Sequence, residues 1–434
     1  MLGADLGLAA WVQALGLGLV AGVAAAMSIP AALGITVLAV ALYAYARSSV
    51  QSEVVVAIYW FTFCIFSTVF ASVSISGFYF PFYGAFLIAI VGGLLGTGLQ
   101  VIPRFALAMA AFLVLALAAL LGYDGTSNFE AFQRLLAYAF GIIILLQFRS
   151  ARGLQPVLLA ICAASLVISA WVIWNAAQTG FAYRAGLDVN QNVVTLFIGF
   201  GLIAVFCIAV EILRDRRSLL WFPVLLIALT VMAYAVLLLA SRGMTIALSA
   251  AIMAVLLRTV LRERRMLLVL LPLAAVLGLG FLLPGGHAIV ERFGERGAES
   301  GNERLPIWEA TLDAFTDGNV REIVLGHGLD SSRAVVQQRF GTLTSTHNTY
   351  LQILYEFGII GLALFTFLHA YLLVQAWLIR GIYGLVMLGI MAFLVTTNLA
   401  MSAADGFLYW TAIGFAAALG MWVPSEPARG RAAA

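Results

Sequence analysis

The sequence predicts an all-α protein that crosses a membrane many times. Of its 434 residues, 63% are hydrophobic and 10% are charged, and the mean hydropathy is +1.05; soluble domains carry roughly 25% charged residues. Apolar runs recur along the chain, each near the ~20 residues a bilayer requires. One polar stretch, 284–346, interrupts them with six arginines and nine acidic residues. Lipid offers no water to bond backbone N–H and C=O groups, so the apolar runs must be helices.

The runs fall near 6–26, 29–46, 54–74, 79–99, 104–122, 128–148, 154–176, 191–212, 218–240, 243–260 and 266–283, then 347–378, 382–401 and 405–423 after the polar stretch. That gives fourteen spans, or twelve if one of the two ambiguous pairs, the first or the last, does not cross. Arginine placement sets the orientation. With the N-terminus inside, fourteen arginines fall in cytoplasmic connections and three, Arg134, Arg184 and Arg242, in short outer ones. The expected organisation is then a transmembrane block (1–283), an outer loop (284–346), C-terminal spans (347–423) and a cytoplasmic tail (424–434).

Every basic residue is arginine, so an anion site here must use guanidinium, which grips phosphate bidentately and does not titrate. The net charge of +3 gives no sign of a nucleic-acid partner. Cys64, Cys162 and Cys207 all lie in apolar runs, with no disulfide framework or metal-binding spacing. No cleavable signal peptide stands out, since the first residues carry Asp5 and no basic residue before an apolar run.

Within the outer loop, Leu305, Trp308, Leu312 and Phe315 recur at helical spacing over 304–317, and Pro306 suits a first turn. A second short helix is expected over 330–340, with Val335, Val336 and Phe340 on its apolar side. Two such helices on the membrane surface would form a lid. Gly326-His327-Gly328 and Gly341 read as turns. Glu291, Glu295, Glu299 and Glu303, with Arg292 and Arg296 interleaved, read as a solvated face.

Arginines on the outer side need an explanation. Arg184 lies in a glycine-broken connection, 179–192, and Arg242 in the tight turn Ser241-Arg242-Gly243. Either they snorkel to the headgroups, or they clamp a lipid-linked phosphate through charge-assisted bidentate bonds; the short turn leaves Arg242 little freedom to snorkel. His347 opens the helix after the loop. Histidine has an unperturbed pKa of about 6.5, and a helix N-terminus favours the neutral ring, as a general base requires. Ser345 or Thr346 can cap that helix. Asn348 can orient His347 or meet a substrate hydroxyl, and Tyr350, Arg304, Arg333 and Arg339 are further substrate-contact candidates. His369, deep in the same run, reads as a buried bonded group; His287 and His327 show no partner signal. Gly358 and Gly361, three apart, share a helix face for close packing.

His347-Asn348, nine residues and then Gly358-Ile359-Ile360-Gly361 resembles the histidine signature of the O-antigen ligases. Ser241-Arg242-Gly243 before an apolar helix resembles the start of the region that these ligases share with O-antigen polymerases, and Gly326-His327-Gly328 resembles the glycine-rich stretch before the histidine. The resemblance covers roughly 180–400. It implies an inverting, metal-independent glycosyltransferase without a cofactor. The donor would be an undecaprenyl-diphosphate-linked glycan and the acceptor the lipid A-core oligosaccharide. The enzyme would sit in a Gram-negative inner membrane, among its lipids, with its site facing the periplasm. The family's histidine base maps onto His347 and its diphosphate-binding arginines onto Arg184 and Arg242, Arg184 having the less regular spacing. An O-antigen polymerase or a protein O-oligosaccharyltransferase would share these features. A lipid-linked-sugar flippase or transporter should instead place charge at mid-membrane, where Asn398 and Asp405 are the few late candidates.

Overall fold

The computed structural model describes residues 154–180, 190–215, 219–264, 304–342 and 344–423, with single positions among 109–116, 134–141 and 275–284. The expected spans between 6 and 99, nearly all of those at 104–122, 128–148 and 266–283, and Arg184 lie outside this set. Among the described residues there is no strand. Five helices are long and apolar enough to cross a membrane, and two shorter apolar ones follow. The protein is an all-α polytopic membrane protein.

The chain divides into two compact units. The first holds α1 (Leu154–Gln178), α2 (Gln191–Asp215), α3 (Phe222–Leu239) and α4 (Arg242–Arg262). The first three pack together through nearly uninterrupted apolar surface, with Ile168, Ile198, Ala204, Met232 and Leu239 fully buried. Lipid gives helices little hydrophobic drive to associate, so the polar bonds between them matter: Ser165 donates its hydroxyl to Phe197 O at 2.7 Å, tying α1 to α2. The link from α3 to α4 is only Ala240 and Ser241, with Ala240 in the left-handed region at φ 50°. Arg242 is therefore the first residue of α4, not part of the turn that the sequence suggested.

The second unit contains 98–146, the polar stretch from residue 294 on, and the helices that follow except for 380–390. Three helices fill the described part of the polar stretch, where two were expected: α5 (Arg304–Thr316), α6 (Val320–Leu325) and α7 (Ser331–Phe340). The added helix, α6, starts on a capping box, in which Asn319 accepts from the Glu322 amide at 3.2 Å and Glu322 accepts from the Asn319 amide at 2.8 Å. The expected apolar faces are only partly used. Phe315 and Val336 are buried, but Leu305 (50%), Leu312 (40%) and Phe340 (41%) remain exposed.

The run expected as one helix over 347–378 is α8 (Thr349–Leu378), and it is broken at Gly358, with φ 66° and ψ −167°. The bend is large. The rings of Tyr350 and Phe365 meet edge to face, centroids 5.9 Å apart, whereas a straight helix would separate residues at that spacing by roughly 22 Å. The lower arm, Ile359–Leu378, is about 20 residues and roughly 30 Å long, matching the hydrocarbon thickness. The upper arm, Thr349–Phe357, folds back over it. The chain continues through α9 (Gly381–Thr397) and a short turn to α10 (Phe407–Trp422). The end of the run expected at 382–401 is this turn, because α9 stops at Thr397.

Gly358 explains the Gly326-His327-Gly328 turn. A helix break frees the carbonyls of the preceding turn, and here the loop takes them up. His327 N donates to Tyr355 O at 3.0 Å and Gly328 N to Glu356 O at 3.1 Å. The approach is backbone to backbone: a Cβ on Gly326 would lie 2.2 Å from Glu356 O, and one on Gly358 would lie 2.4 Å from Val324 O. The Gly358–Gly361 pair is thus not one packing face. A Cβ on Gly361 would first meet Phe357 Cβ at 2.1 Å, across the break in the same helix, and then Leu115 Cδ2 at 3.3 Å. His327, read as unpartnered, also stacks on Tyr355 with ring centroids 4.1 Å apart.

Candidate functional site

His347 precedes α8 in the left-handed region, φ 52°, a conformation that costs an L-residue roughly 1–2 kcal/mol. Asn348, not Ser345 or Thr346, is the N-cap: its side-chain oxygen accepts from Tyr350 N at 3.0 Å and Leu351 N at 3.2 Å. That employs the oxygen in folding rather than in orienting His347. Thr346 is buried, and its hydroxyl donates to Asn348 O at 2.9 Å.

The imidazole is half-buried. Thr344 Oγ1 lies 3.3 Å from Nε2 and Ser345 Oγ 3.5 Å from Nδ1. Burial first, and then the positive charge of Arg304, hold the His347 pKa below its ordinary value, so the ring is neutral at pH 7. The sequence expected a neutral ring from the helix dipole; the causes found are desolvation and a neighbouring guanidinium.

Arg304 is placed by α5. It donates from Nη1 to Ala400 O at 3.0 Å, and one turn on, Trp308 Nε1 donates to Thr346 O at 3.0 Å. The 398–402 turn is also fixed to the head of α8, where Thr349 N donates to Asn398 O at 2.8 Å and Thr349 Oγ1 to Met401 O at 2.8 Å. Tyr350 joins this framework, its hydroxyl donating to Val395 O at 3.1 Å. Asn398 is fully buried and donates to Tyr409 OH at 2.8 Å. His369 is buried and bonded, as expected: Nδ1–H donates to Phe365 O at 2.7 Å, so Nε2 accepts from Tyr409 OH.

In the first unit, Arg242 is half-buried at the N-terminus of α4, where backbone N–H groups and the helix dipole favour an anion. Ser241 donates its hydroxyl to Asn192 Oδ1. Asn192 is the second residue of α2, so this bond ties the head of α2 to the N-cap of α4.

Residues 227–366, from α3 to the lower arm of α8, match the family model described as O-antigen ligase. The chain carries an O-antigen ligase family domain. This domain spans the α3–α4 link and Arg242, the three loop helices, His347 and Gly358, and leaves out Arg184 and Asn398. The match supports glycosyl transfer of the ligase or polymerase type. No curated protein matches the chain. Sequence reasoning named Arg134 only as an outer arginine and missed its partners Asp330 and Glu356, with which it forms an ionic cluster.

Arg304 supplies one prediction. Replacing it with glutamine removes one of the two causes that depress the His347 pKa, so that pKa rises. The neutral fraction below pH 7 then falls, and the acid limb of a pH–turnover profile moves to higher pH. A limb that stays in place or moves lower would refute the coupling.

Proposed function

We propose that the protein transfers O-antigen polysaccharide from undecaprenyl diphosphate to the lipid A-core oligosaccharide, at the periplasmic face of a Gram-negative inner membrane. The observation that carries this reading is the imidazole of His347, kept neutral by burial and by Arg304 at the head of a broken helix, inside an O-antigen ligase domain. A neutral imidazole can accept a proton, and a guanidinium beside it suits a substrate that carries phosphates.

In this reading the acceptor hydroxyl takes the place of Thr344 Oγ1 at Nε2, His347 removes its proton, and the oxygen attacks the anomeric carbon. The C–O bond to the diphosphate breaks as the new glycosidic bond forms, with inversion. Arg242 and Arg184 carry the charge that grows on the departing diphosphate. The leaving group is already activated, so no metal or other cofactor enters the scheme. Arg304 is a further phosphate contact. Asn348 and Tyr350 act through the framework that holds the head of α8.

Bidentate recognition has a measurable signature. Arg242→Lys keeps the charge but loses the fork, and turnover is expected to fall about 10- to 100-fold, as for the loss of roughly 1.4–2.7 kcal/mol of transition-state stabilisation. Turnover and donor affinity equal to wild type would refute the clamp.

A polymerase or a protein O-oligosaccharyltransferase differs only in acceptor. Purified protein with an undecaprenyl-diphosphate glycan and, separately, lipid A-core, a second lipid-linked glycan or a pilin-type protein decides between them. Transfer to lipid A-core alone is the expected result, and transfer only to either of the others contradicts it.

A further inference from the structure

Behind the bend of α8 lies a cluster of charges for which an apolar helix has no ordinary use. Glu356, two residues before the break, is fully buried. Its carboxylate accepts from Arg134 Nη1 at 3.1 and 3.3 Å, from Ser332 Oγ at 2.7 Å and from Gln352 Nε2 at 3.3 Å. Arg134, itself buried, reaches on to Asp330 at 2.7 Å. Asp330 is held at φ 68°, a left-handed backbone, and faces Arg333 at 3.4 Å. The cluster therefore joins three pieces of chain: the segment carrying Arg134, the first turn of α7 with the residue before it, and the upper arm of α8.

The same three-way junction refers back to His347. Gln352 lies one turn before Glu356 on the upper arm, and its backbone N–H makes the ordinary helix bond to Asn348 O at 3.0 Å. α7 packs on α5, and α5 carries Arg304 and Trp308 to the residues around His347. The groups that face His347 are Arg304 from α5 and the hydroxyls of Thr344 and Ser345. Those that face Glu356 are Arg134, Ser332 and Gln352, with Asp330 and Arg333 beyond Arg134.

We propose that the Arg134–Glu356 pair is a positioning element, which fixes the lid helices on the bend of α8 and thereby keeps Arg304 beside His347. The element touches no reacting atom. It acts through α7 and α5, so loosening it separates the base from its cation without removing either.

The test is the titration of His347 in the intact protein, followed by carbethoxylation with diethyl pyrocarbonate across pH and mass spectrometry of the His347 peptide. Only the neutral ring reacts, so the midpoint reads the pKa. Glu356→Gln keeps the side-chain shape and an acceptor for Ser332 but loses the charge. Its midpoint is expected to rise toward the ordinary value of about 6.5. The rise should match that of Arg304→Gln, and adding Arg304→Gln to Glu356→Gln should raise it no further. Turnover should fall about 2- to 30-fold, the usual span for a residue acting through others. A midpoint equal to wild type overturns the proposal, whatever happens to turnover or melting temperature. If Glu356→Gln does not fold, Ser332→Ala, which removes one bond to the same carboxylate, is read in the same way. The proposal rests on the reading of His347 as the base only for its kinetic consequence. The labelling needs no substrate, so a failure of the transfer reading leaves the midpoint result standing.

Discussion

His347→Ala is expected to abolish attachment of polymer to lipid A-core, with turnover reduced by about 10²–10⁴-fold, the usual contribution of a positioned general base. The protein should still be made and inserted, because the hydrogen bonds that set the head of α8 come from Asn348, Thr349 and Thr346 rather than from the imidazole. His347→Gln separates proton transfer from shape: it fills the site with a polar side chain that cannot accept a full proton. Both variants should lose turnover together while binding of the lipid-linked donor stays near wild type. Near-normal turnover of the purified His347→Ala variant would remove the base assignment.

The second large effect is on folding. Gly358→Ala must place a side chain on a backbone at φ 66° and ψ −167°, a region essentially confined to glycine, and drive its Cβ to 2.4 Å from Val324 O. Strain and overlap together should cost about 2–5 kcal/mol. Gly326→Ala meets the same contact from the other side, at 2.2 Å from Glu356 O. Gly341 is the control. It has a similar φ of 72° but no atom within 4 Å of a built Cβ, so Gly341→Ala should cost only about 1–2 kcal/mol of backbone strain. Melting temperatures of the purified proteins in detergent should drop sharply for 326 and 358 and slightly for 341. Equal drops at all three would contradict the backbone-to-backbone contact.

Much of this arrangement is legible in the sequence. The helices at 304–316 and 331–340 follow from their spacing and turn residues, a tight link before the apolar helix α4 from Ser241-Arg242-Gly243, though displaced by one residue to Ala240-Ser241, and the head of α8 from the return to apolar residues. What escapes has identifiable causes. α6 is six residues long, too short for any periodicity, and only its capping box marks it. Glycines three apart suit a packed helix face as well as a break, and the break is decided by Gly326, far off in the chain. The Arg134–Glu356 pair joins positions 222 apart, and neither residue has a local pattern that points to the other. Asn348 and Thr346 are both good caps, so the sequence does not choose between them. Arg304 could be nominated as a phosphate contact, but its influence on His347 depends on α5 packing over the head of α8.

The mechanism fixes the stereochemical outcome of the transfer. Direct attack by an acceptor hydroxyl, with His347 taking its proton, inverts the anomeric carbon in a single displacement. A covalent glycosyl-enzyme intermediate would retain it through two displacements. The decisive measurement is the anomeric configuration of the first sugar of the polymer, determined by NMR in the donor and again in the purified lipid A-core product. Opposite configurations are the predicted result. The same configuration in both would contradict the account of His347 as the base of a direct transfer.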